Sequence, residues 1–316
     1  MSLKSRLRNF LVGMKEENLL LKYIWLLLLE RRSKRKKTNM SDLDCINAMY
    51  YRQIGFYPNL ENPKTFSEKM QWLKLHYRND LMPVVADKYG VRGYLKQQGY
   101  GYLLNDLLAV YDNIQDLDIE TLPERFVFKA SHGSGSAWNC VVKDKTKVNW
   151  FLWKKYMRYW LRNDIAWQGR EWHYAAMKPR VIFEKYLEDK SGGLMDYKFY
   201  CFNGEPAFLQ VNVDRGLPTA TQNYYDLNWN LLPFGKSSPH NPNAKVDCPD
   251  HFQDMINIAR KLSKPFPYVR VDFYEADNRI YFGEFTFFPA SGLPDFIPAE
   301  WDTKVGAMLT LPEANN

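Results

Sequence analysis

The sequence lacks most of the short motifs by which common enzyme classes are recognised. It has no C-x-x-C pair and no H-E-x-x-H run, so nothing indicates a structural zinc site or a zinc protease. The order G-x-x-x-x-G-K-[ST] is absent, and no G-x-G-x-x-G opens a helix as in dinucleotide-binding proteins. The four cysteines are widely spaced, which is typical of reduced thiols in a cytosolic protein.

A hydrophobic run long enough to cross a membrane is also missing. The apolar stretch Leu19–Leu29 is interrupted by Lys22 and is too short for a span of about 20 residues. The basic stretch Arg31–Lys37 follows it, and no small-residue cleavage site marks a signal peptide. An apolar helix with Trp25 beside a polybasic stretch is typical of a helix lying in the membrane interface. The alternative is a helix packed on the protein body or in a dimer.

The net charge of +7 is concentrated at the N-terminus. Residues 1–37 contain 11 Lys and Arg against 3 Asp and Glu, whereas the remaining residues carry 32 against 33. A nearly neutral body argues against nucleic acid as a partner, because nucleic-acid binding needs a basic face on the folded domain. We therefore expect an anionic membrane surface as the partner of the basic segment, and a cytoplasmic protein that is peripheral at the inner face of the cell membrane.

The most informative stretch is residues 268–288, where two runs of β-branched and aromatic residues predict a β-hairpin. We take the loop as the three residues Asp277–Arg279, which sets the pairing of the strands. Asp272 then lies opposite Glu284 on one face of the hairpin. Facing carboxylates repel unless a cation lies between them, and such oxygen ligands suit Mg²⁺ together with substrate phosphates. An ordinary solvated hairpin is the alternative. The same face carries Arg270 and Thr286.

A second signal is a strand followed by a loop of small residues. Arg125–Ala130 predicts a short strand ending near Lys129, and Ser131–Ser136 follows it with two glycines. A flexible loop lets backbone N–H groups approach phosphate oxygens, and a lysine at the strand end can add a point charge. A simple Gly/Ser surface turn is the alternative.

Two more segments predict strands. Pro179–Leu187 reads as a buried strand that runs out into a polar segment, and its free backbone groups could hydrogen-bond an adenine edge. Asp196–Phe202 alternates strictly, so that Asp196, Lys198 and Tyr200 lie on one side.

The order of these motifs resembles the ATP-grasp superfamily. It is most similar to the teichuronopeptide-biosynthesis-like (TupA-like) branch, which occurs among genes for bacterial surface polysaccharides. The resemblance covers about residues 45 to 305 and includes the segments Asn62–Trp72, Asp87–Tyr89 and Gly283–Phe287. In chain order the motifs are the strand with Lys129, the Gly/Ser loop, Glu184-Lys-Tyr-Leu187, Asp196-x-Lys198, Arg270-x-Asp272 and Glu284-x-Thr286.

The resemblance implies a nucleotide site. Lys88 and Lys129 would contact the phosphates of ATP, and the loop His132–Ser136 would fold over the β- and γ-phosphates. Backbone groups in Glu184–Leu187 would frame the adenine, and Asp196 would take the ribose hydroxyls. The implied ATP-binding set is Lys88, Lys129, His132, Gly133, Ser134, Gly135, Ser136, Glu184, Lys185, Tyr186, Leu187, Asp196 and Lys198.

The resemblance also implies a catalytic and metal-binding set. Arg270, with Lys129, would face the transferred phosphoryl group, while Asp272 and Glu284 would hold Mg²⁺. Many superfamily members have an asparagine ligand two residues beyond this glutamate, where this chain has Thr286. A hydroxyl coordinates a hard cation more weakly, so the number of metal ions stays open.

The fold implied is α+β, with two ATP-grasp subdomains that grip ATP between antiparallel sheets after a helical N-terminal region. We assign residues 1–40 to a basic, amphipathic membrane-associating segment, 41–110 to a helical domain, and 111–195 and 196–316 to the two subdomains. Lys88 and Arg92 are expected on one face of their helix, four residues apart. Helices are predicted at Ser67–Leu75, Ala86–Gln98, Trp150–Arg162 and Asp250–Ser263.

The expected reaction is ATP- and Mg²⁺-dependent ligation of a carboxylate to an amine through an acyl phosphate. The resemblance favours a uronic acid of a surface polysaccharide or lipid-linked sugar as acceptor of an amino acid or amino sugar. A glycosyltransferase is one alternative, because Asp42-Leu-Asp44 and Asp116-Leu-Asp118 have the D-x-D form. An ATP-dependent phosphotransferase and a membrane-associated scaffold without turnover are the others.

Overall fold

The computed structural model describes residues 19–21, 23–24, 27–28, 40–163, 165–188, 194–213, 220–236, 239–243 and 246–314. Helices and two antiparallel sheets follow one another along this part of the chain, which confirms the predicted α+β class. The α-helices are α1 Asp42–Ile54, α2 Phe66–His76, α3 Leu81–Ala86, α4 Gly90–Gln97, α5 Trp150–Arg162, α6 Ala166–Gly169, α7 Phe252–Ser263 and α8 Glu300–Ala307.

The strands form a four-stranded and a five-stranded sheet. The first sheet contains β1 Leu107–Tyr111, β2 Phe126–Ala130, β3 Asn139–Val142 and β4 Val181–Lys185. The second contains β5 Met195–Phe202, β6 Glu205–Val213, β7 Thr221–Asp226, β8 Tyr268–Ala276 and β9 Arg279–Thr286. The spatial orders are β1-β4-β2-β3 and β7-β6-β5-β8-β9, and every neighbouring pair is antiparallel.

Each sheet has its own hydrophobic core. Helix α5 packs on the first sheet, where Trp160 and Phe128 are completely buried. Helices α2, α3, α4, α7 and α8 contribute to the core of the second sheet, with Met70 beside strand residues such as Val271. The helical region before the first sheet therefore shares a core with the second sheet. The assignment of four domains stays a prediction.

Helix α2 and the turn before it contain most of the segment Asn62–Trp72. Thr65 and Glu68 form a capping box, in which each side chain accepts a hydrogen bond from the other residue's backbone N–H. The helix is also bonded to the C-terminal region: Lys69 Nζ donates to the carbonyls of Gly306 (2.8 Å) and Leu309 (2.6 Å), and Ser67 N and Oγ donate to Asp302 Oδ1 (2.9 Å each). The polar residues of this segment therefore stabilise helix α2 and bond it to the C-terminal region.

The β8–β9 hairpin confirms the predicted pairing, although the predicted loop is wrong. Both facing pairs occur, namely Asp272 with Glu284 and Arg270 with Thr286. The loop has two residues, Asp277 and Asn278 with φ of 49° and 61°, and Arg279 already belongs to β9. Positive φ at both positions matches the twist of a tight hairpin. A bulge next to Gly283 adds the missing residue, and so restores the register that a three-residue loop would give.

The predicted helix Ala86–Gln98 is interrupted near its start. Asp87 Oδ1 accepts a hydrogen bond from the Gly90 N–H (3.3 Å), in the break between α3 and α4. Lys88 lies in this break, so its predicted position four residues before Arg92 on one helix face is wrong. The predictions for α2, α5 and α7 are confirmed, α5 with the same bounds.

The predicted membrane-associating segment is described in part. Its described residues are helical, and Leu19 and Tyr23 pack against the core of the first sheet. Lys22, Trp25 and Arg31–Lys37, on which the prediction also depends, lie outside the described residues. Within the part of the chain that the structure covers, no helix combines the length and hydropathy that crossing a bilayer requires. The exposed residues of this segment are Leu20, Leu21, Ile24, Leu27 and Leu28.

Candidate functional site

The first sheet presents a shared carboxylate. Lys129 Nζ on β2 lies 2.7 Å from Glu184 Oε2 on β4, and Arg92 of α4 lies 3.2 Å from Glu184 Oε1. Burial lowers the pKa of Lys129, but Glu184, Tyr274 and Glu284 together outweigh burial and the pKa is raised. Lys129 is therefore a protonated ammonium ion near the end of its strand, as a phosphate contact requires.

Lys88 connects the Gly/Ser loop to the second sheet. Its Nζ donates to the carbonyl of Gly133 (2.5 Å) and lies 3.7 Å from Glu284 Oε2 on β9. Burial lowers the pKa of Lys88, and Glu284 opposes that change. The break between α3 and α4 thus places a lysine where the two sheets meet.

The loop after β2 divides into a buried and an exposed part. The His132 ring is completely buried, and its Nε2 contacts the carbonyl oxygens of Trp160 (2.9 Å) and Asn163 (3.0 Å) at the end of α5. The ring is therefore held against the end of α5, and the phosphate contact predicted for His132 stays a prediction. Ser134 and Gly135 line the cleft described below, and the backbone of Ser136 begins a short 3₁₀ turn. A phosphate-binding role of the loop stays a prediction.

The end of β4 is held by neighbours outside the cleft. The Lys185 side chain lies 3.5 Å from Asp106, and the Tyr186 ring stacks under the guanidinium of Arg125 at 4.3 Å. Leu187 follows β4. The adenine contacts predicted for Glu184–Leu187 stay predictions.

Strand β5 brings two predicted residues to the second sheet. Lys198 Nζ lies 2.8 Å from Asp196 Oδ2 and 2.7 Å from Asp272 Oδ2. Asp196 is completely buried and also accepts a hydrogen bond from Asn212 (3.0 Å). The ribose contact stays a prediction.

The predicted metal ligands surround Arg270. Its guanidinium donates two hydrogen bonds of 2.7 Å to Asp272 and one of 3.0 Å to Thr286 Oγ1. Burial would raise the pKa of the fully buried Asp272, but Arg270 and Lys198 hold it below its ordinary value. Glu284 is more open, with 35% of its side chain exposed and Arg270 at 3.6 Å. Burial would raise its pKa, but Lys88, Lys198 and Arg270 together hold it below its ordinary value.

These protein ligands suit Mg²⁺ only when a nucleotide phosphate and water complete its coordination shell. Among the residues that the structure describes, no cluster of three or more His, Cys, Asp or Glu side chains could hold a metal. Asp272, Glu284 and the Thr286 hydroxyl supply hard oxygens from facing strands, and Mg²⁺ commonly completes its shell with phosphate and water. The donor set therefore fits a metal that is bound together with a nucleotide.

A cleft of about 760 Å³ connects the elements of the site. Lys198, Arg270, Glu284 and Thr286 line it, as do Ser134 and Gly135 of the Gly/Ser loop. Lys88, Lys129 and Glu184 do not line the cleft itself. The sequence arguments missed the cleft residues Glu171, Tyr174, Lys236 and Ser291, which no short motif connects.

Lysines and carboxylates that meet between two antiparallel sheets define the ATP-grasp class of proteins. The chain belongs to the TupA-like ATP-grasp family, which matches residues 68–310. ATP-grasp enzymes as a class are ligases that use ATP and Mg²⁺, in agreement with the predicted cofactors and enzyme class.

Several solved ligase structures are similar to the chain. D-alanine–D-alanine ligase from Bacillus anthracis complexed with ATP is 16% identical, covering 65% of this chain and 55% of that one (TM-score 0.39). The same enzyme from Helicobacter pylori is 15% identical, covering 78% and 70% (TM-score 0.41). N5-carboxyaminoimidazole synthase from Aspergillus clavatus in complex with ADP and 5-aminoimidazole ribonucleotide is 13% identical, covering 65% and 44% (TM-score 0.38). The chain thus spans about half the length of the first of these ligases. None of the curated proteins matches the chain.

Proposed function

We propose that the protein is an ATP- and Mg²⁺-dependent carboxylate–amine ligase that works through an acyl phosphate. The observation that carries the proposal is the convergence of cations on one pair of facing carboxylates. Lys88 comes from the α3–α4 break, Lys198 from β5 and Arg270 from β8. Such fixed positive charge stabilises a phosphoryl group in transfer without reorganisation during the reaction.

The reaction solves a leaving-group problem. A carboxylate is a poor acyl donor because oxide leaves poorly. Transfer of the γ-phosphoryl group of ATP to a carboxylate oxygen releases ADP and turns that oxygen into part of a phosphate leaving group. An amine nitrogen then attacks the carbonyl carbon, the carbon–oxygen bond to phosphate breaks, and phosphate departs with the electron pair.

The residues present have distinct tasks in the first step. Arg270 and Lys198 face the cleft and would neutralise the transferred phosphoryl group, while Lys129 and Lys88 would hold the remaining phosphates. Asp272, Glu284 and Thr286 would hold Mg²⁺, which supplies further charge neutralisation and orients the phosphates. Both oxygens of Asp272 accept hydrogen bonds from cations, so a metal there would compete with Arg270 and Lys198.

The test is carboxylate-dependent and amine-dependent release of ADP. The protein with MgATP is screened against a matrix of uronic acids, amino acids and amino sugars, and the product is examined for an amide. We expect ADP release only when both partners are present. Glu284→Gln should lose the activity, whereas Glu205→Gln, at an exposed carboxylate that pairs with Arg260, should keep it. Absence of ADP release with every pair would contradict the proposal.

For the substrate, we favour a uronic-acid carboxyl of a bacterial surface polysaccharide or its lipid-linked precursor, and an amino acid or amino sugar as the amine. The support is the family context and the size of the cleft. Its volume of about 760 Å³ lies within the range of small-molecule sites, about 300–1,000 Å³. A polymer end could therefore enter together with the amine.

The same assays would distinguish a ligase from a phosphotransferase and from a glycosyltransferase. A phosphotransferase would release ADP without an amine, and a glycosyltransferase would bind UDP-sugars instead of ATP in a nucleotide-shift assay with Mg²⁺. Asp42 of the first D-x-D motif lies in the first turn of α1, at 3.2 Å from Arg170. This pairing gives that motif a structural explanation.

We also propose that the protein binds the surface of an anionic membrane through its N-terminal segment. The exposed residues 20, 21, 24, 27 and 28 have the spacing of one helical face, while Leu19 and Tyr23 pack on the body. The six Lys and Arg residues within 31–37 follow this face in the sequence. Each basic residue near an anionic surface contributes about 1 kcal/mol, attenuated by salt.

Vesicle co-sedimentation tests the membrane proposal. The intact protein should bind phosphatidylserine-containing vesicles at low salt and less at high salt. The triple variant Leu21→Ser, Ile24→Ser, Leu28→Ser keeps the body-facing residues and should lose binding, as should a variant lacking residues 1–38. If the triple variant still binds, or instead dissociates a dimer in analytical ultracentrifugation, the face belongs to another interface.

A further inference from the structure

The cleft has an anionic corner that the phosphoryl transfer does not use. Glu171 follows α6, and its Oε1 accepts a hydrogen bond from the Ser291 hydroxyl at 2.6 Å. Both residues line the same cleft as Arg270 and Lys198. The Glu171 carboxylate therefore shares one cleft with the cations Lys198 and Arg270.

The surrounding backbone fits closely around this pair. A Cβ added to Gly169 would lie 2.3 Å from Ser291 Oγ and 2.5 Å from Glu171 Oε1, so only glycine leaves room for the hydrogen bond. Ser291 and Ala290 both have left-handed backbones, with φ of 54° and 51°. Non-glycine residues adopt this conformation at a cost that the surrounding structure must offset.

Helix α2 holds the left-handed turn in place. Gln71 Nε2 donates to the carbonyls of Ser291 (3.1 Å) and Gly292 (2.7 Å), and Lys74 Nζ donates to the Ser291 carbonyl (2.6 Å). All the donors come from buried side chains of one helix. The Ser291 hydroxyl is thereby aimed at Glu171 by a rigid support.

The Glu171 carboxylate keeps capacity for a ligand. Among the described residues, its hydrogen bonds use Oε1, and the nearby Lys74 donates to neutral oxygens of Gln71 (3.1 Å) and Ser291. Burial raises the pKa of Glu171, against the smaller opposing effects of Lys74 and Ser291. Burial also lowers the pKa of Lys74 to about 8. A carboxyl in this setting takes up a proton more readily than an exposed one.

Tyr174 links this corner to the proposed phosphoryl site. Its pKa is raised by burial first and then by the charges of both Glu171 and Glu284, and its hydroxyl interacts with the side chain of Ser134. Both carboxylates are therefore within electrostatic reach of one tyrosine in the cleft. Glu171, Tyr174 and Glu284 line the same cleft, so an amine bound at Glu171 would share that cleft with the activated acyl group.

We propose that Glu171, positioned by Ser291, binds the second substrate as a primary ammonium ion and takes up the proton that frees its nitrogen for attack. The inference rests on the proposed ligase function and assigns its amine subsite. The cations Lys198 and Arg270 suit the donor carboxylate and phosphate, whereas the carboxylate corner attracts a cation and repels an anion. A free amine, and not an alcohol or an amide, is the ligand class that this corner selects.

The proton balance of the step is complete. R–NH₃⁺ gives one proton to Glu171, and the amine lone pair forms the bond to the acyl carbon. The carbon–oxygen bond to phosphate breaks, and the leaving phosphate takes the electron pair and a second proton from the new amide nitrogen. The amide keeps the third proton, and Glu171 returns its own to solvent.

Binding of matched ligands tests the subsite without turnover. Saturation-transfer NMR of the protein with MgADP would compare D-glucosamine and L-alanine with N-acetylglucosamine and N-acetylalanine, which lack the ammonium group. We expect signals from at least one free amine, none from its acetylated form, and loss of the signal in Glu171→Gln but not in Glu205→Gln. Equal binding of acetylated ligands, no binding of either amine, or an unchanged signal in Glu171→Gln would overturn the assignment.

Competition between nucleophiles separates proton uptake from a structural role. Hydroxylamine is largely unprotonated at neutral pH and traps acyl phosphates as hydroxamates, so it needs no general base. With the carboxylate that the ADP-release screen identifies, Glu171→Gln should shift the ratio of amide to hydroxamate by about 10²-fold or more toward hydroxamate. An equal loss of both products would show that Glu171 only supports the fold. If wild-type protein forms no hydroxamate with any carboxylate while free amines still bind, the ligase proposal fails and the amine subsite remains.

Discussion

The two sheets hold a carboxylate between a lysine and an arginine, but they do so at different depths. The arrangements are Glu184 with Lys129 and Arg92 in the first sheet, and Asp272 with Lys198 and Arg270 in the second. The Glu184 side chain is 11% exposed, whereas that of Asp272 is fully buried. A cation of the first cluster can therefore turn from Glu184 to an incoming phosphate and leave a carboxylate that water partly reaches.

Because of this difference in burial, removing one charged residue should destabilise the second cluster more than the first. Removing one member of a fully buried charge cluster leaves the others unpaired in a medium of low dielectric constant. Water can reach the first cluster, and its charges are screened accordingly. We therefore expect substitutions in the second cluster to act on both folding and turnover, and those in the first to act mainly on nucleotide binding.

The largest expected effect is that of Asp272→Asn. It leaves Arg270 and Lys198 without their shared counter-ion, which should lower the free energy of unfolding by about 3–5 kcal/mol and abolish ATP turnover. Glu184→Gln should cost less, because the side chains of its cluster are 11% to 28% exposed. Urea denaturation of both variants measures the difference. Equal losses of stability would contradict the expectation that the second cluster is more costly to disrupt than the first.

Glu284→Gln should separate turnover from folding. The Glu284 carboxylate lies opposite Asp272 in the hairpin but is partly exposed, so the fold should tolerate its loss. Loss of a metal-supported charge typically raises the barrier by several kcal/mol, which corresponds to about a thousand-fold fall in the rate of ADP formation. A steady-state assay on protein with an unchanged urea midpoint checks this expectation. Near-normal ADP formation would remove Glu284 from the metal site.

Lys129→Ala should weaken MgATP binding. A charge-assisted contact contributes about 1.5–3 kcal/mol, which is about 10- to 100-fold in the dissociation constant. Calorimetry with a non-hydrolysable ATP analogue measures it. Lys147→Ala, at a lysine whose side chain is 83% exposed, is the matched control. If both variants bind with wild-type affinity, Lys129 does not contact the phosphates.

The second cluster should also produce a specific dependence of stability on pH. The folded-state pKa of Asp272 is lowered, so its contribution to stability is present above the unfolded pKa of about 3.9 and is lost as the pH falls through the lower folded value. The urea midpoint of the wild-type protein should therefore fall on acidification. The Asp272→Asn protein should lose less over the same range, and parallel curves would contradict this assignment.

The smallest expected effect is that of Thr286→Asn. Asparagine restores the ligand that is commoner in the superfamily, although it must also replace the hydroxyl that accepts a hydrogen bond from Arg270 (3.0 Å). We expect ADP formation within about three-fold of wild type, since one neutral oxygen ligand replaces another. A loss as large as that of Glu284→Gln would show that the Thr286 hydroxyl has a role of its own.

Local signals were sufficient to predict several elements. Helix α5 has the predicted bounds because Asn149 caps its first turn and its apolar residues recur at helical spacing. The register of the β8–β9 hairpin follows from alternation, which fixes the face of each side chain. It was correct despite the wrong loop, since the bulge near Gly283 compensates for the shorter turn.

What could not be predicted depends on contacts between distant segments. Glu171 and Ser291 are 120 residues apart in sequence, and no periodicity connects them. The pattern of small residues around His132 indicates a loop, but not that the ring turns toward the end of α5. The break at Asp87 depends on one side-chain oxygen that accepts hydrogen bonds from the N–H groups of Tyr89 and Gly90, a signal too short to separate from an ordinary helix.

The bonds between helix α2 and the C-terminal region also bear on biosynthesis. A ribosome makes Ser67 and Lys69 more than two hundred residues before their partners Asp302 and Gly306. Until residues 302–309 leave the exit tunnel, the donors of the nascent helix lack these acceptors, and the second core lacks one of its sides. We expect the first sheet, whose core lies almost wholly within residues 109–183, to fold during translation. The second core, which would carry most of the proposed chemistry, can close only after residues 302–309 have been made.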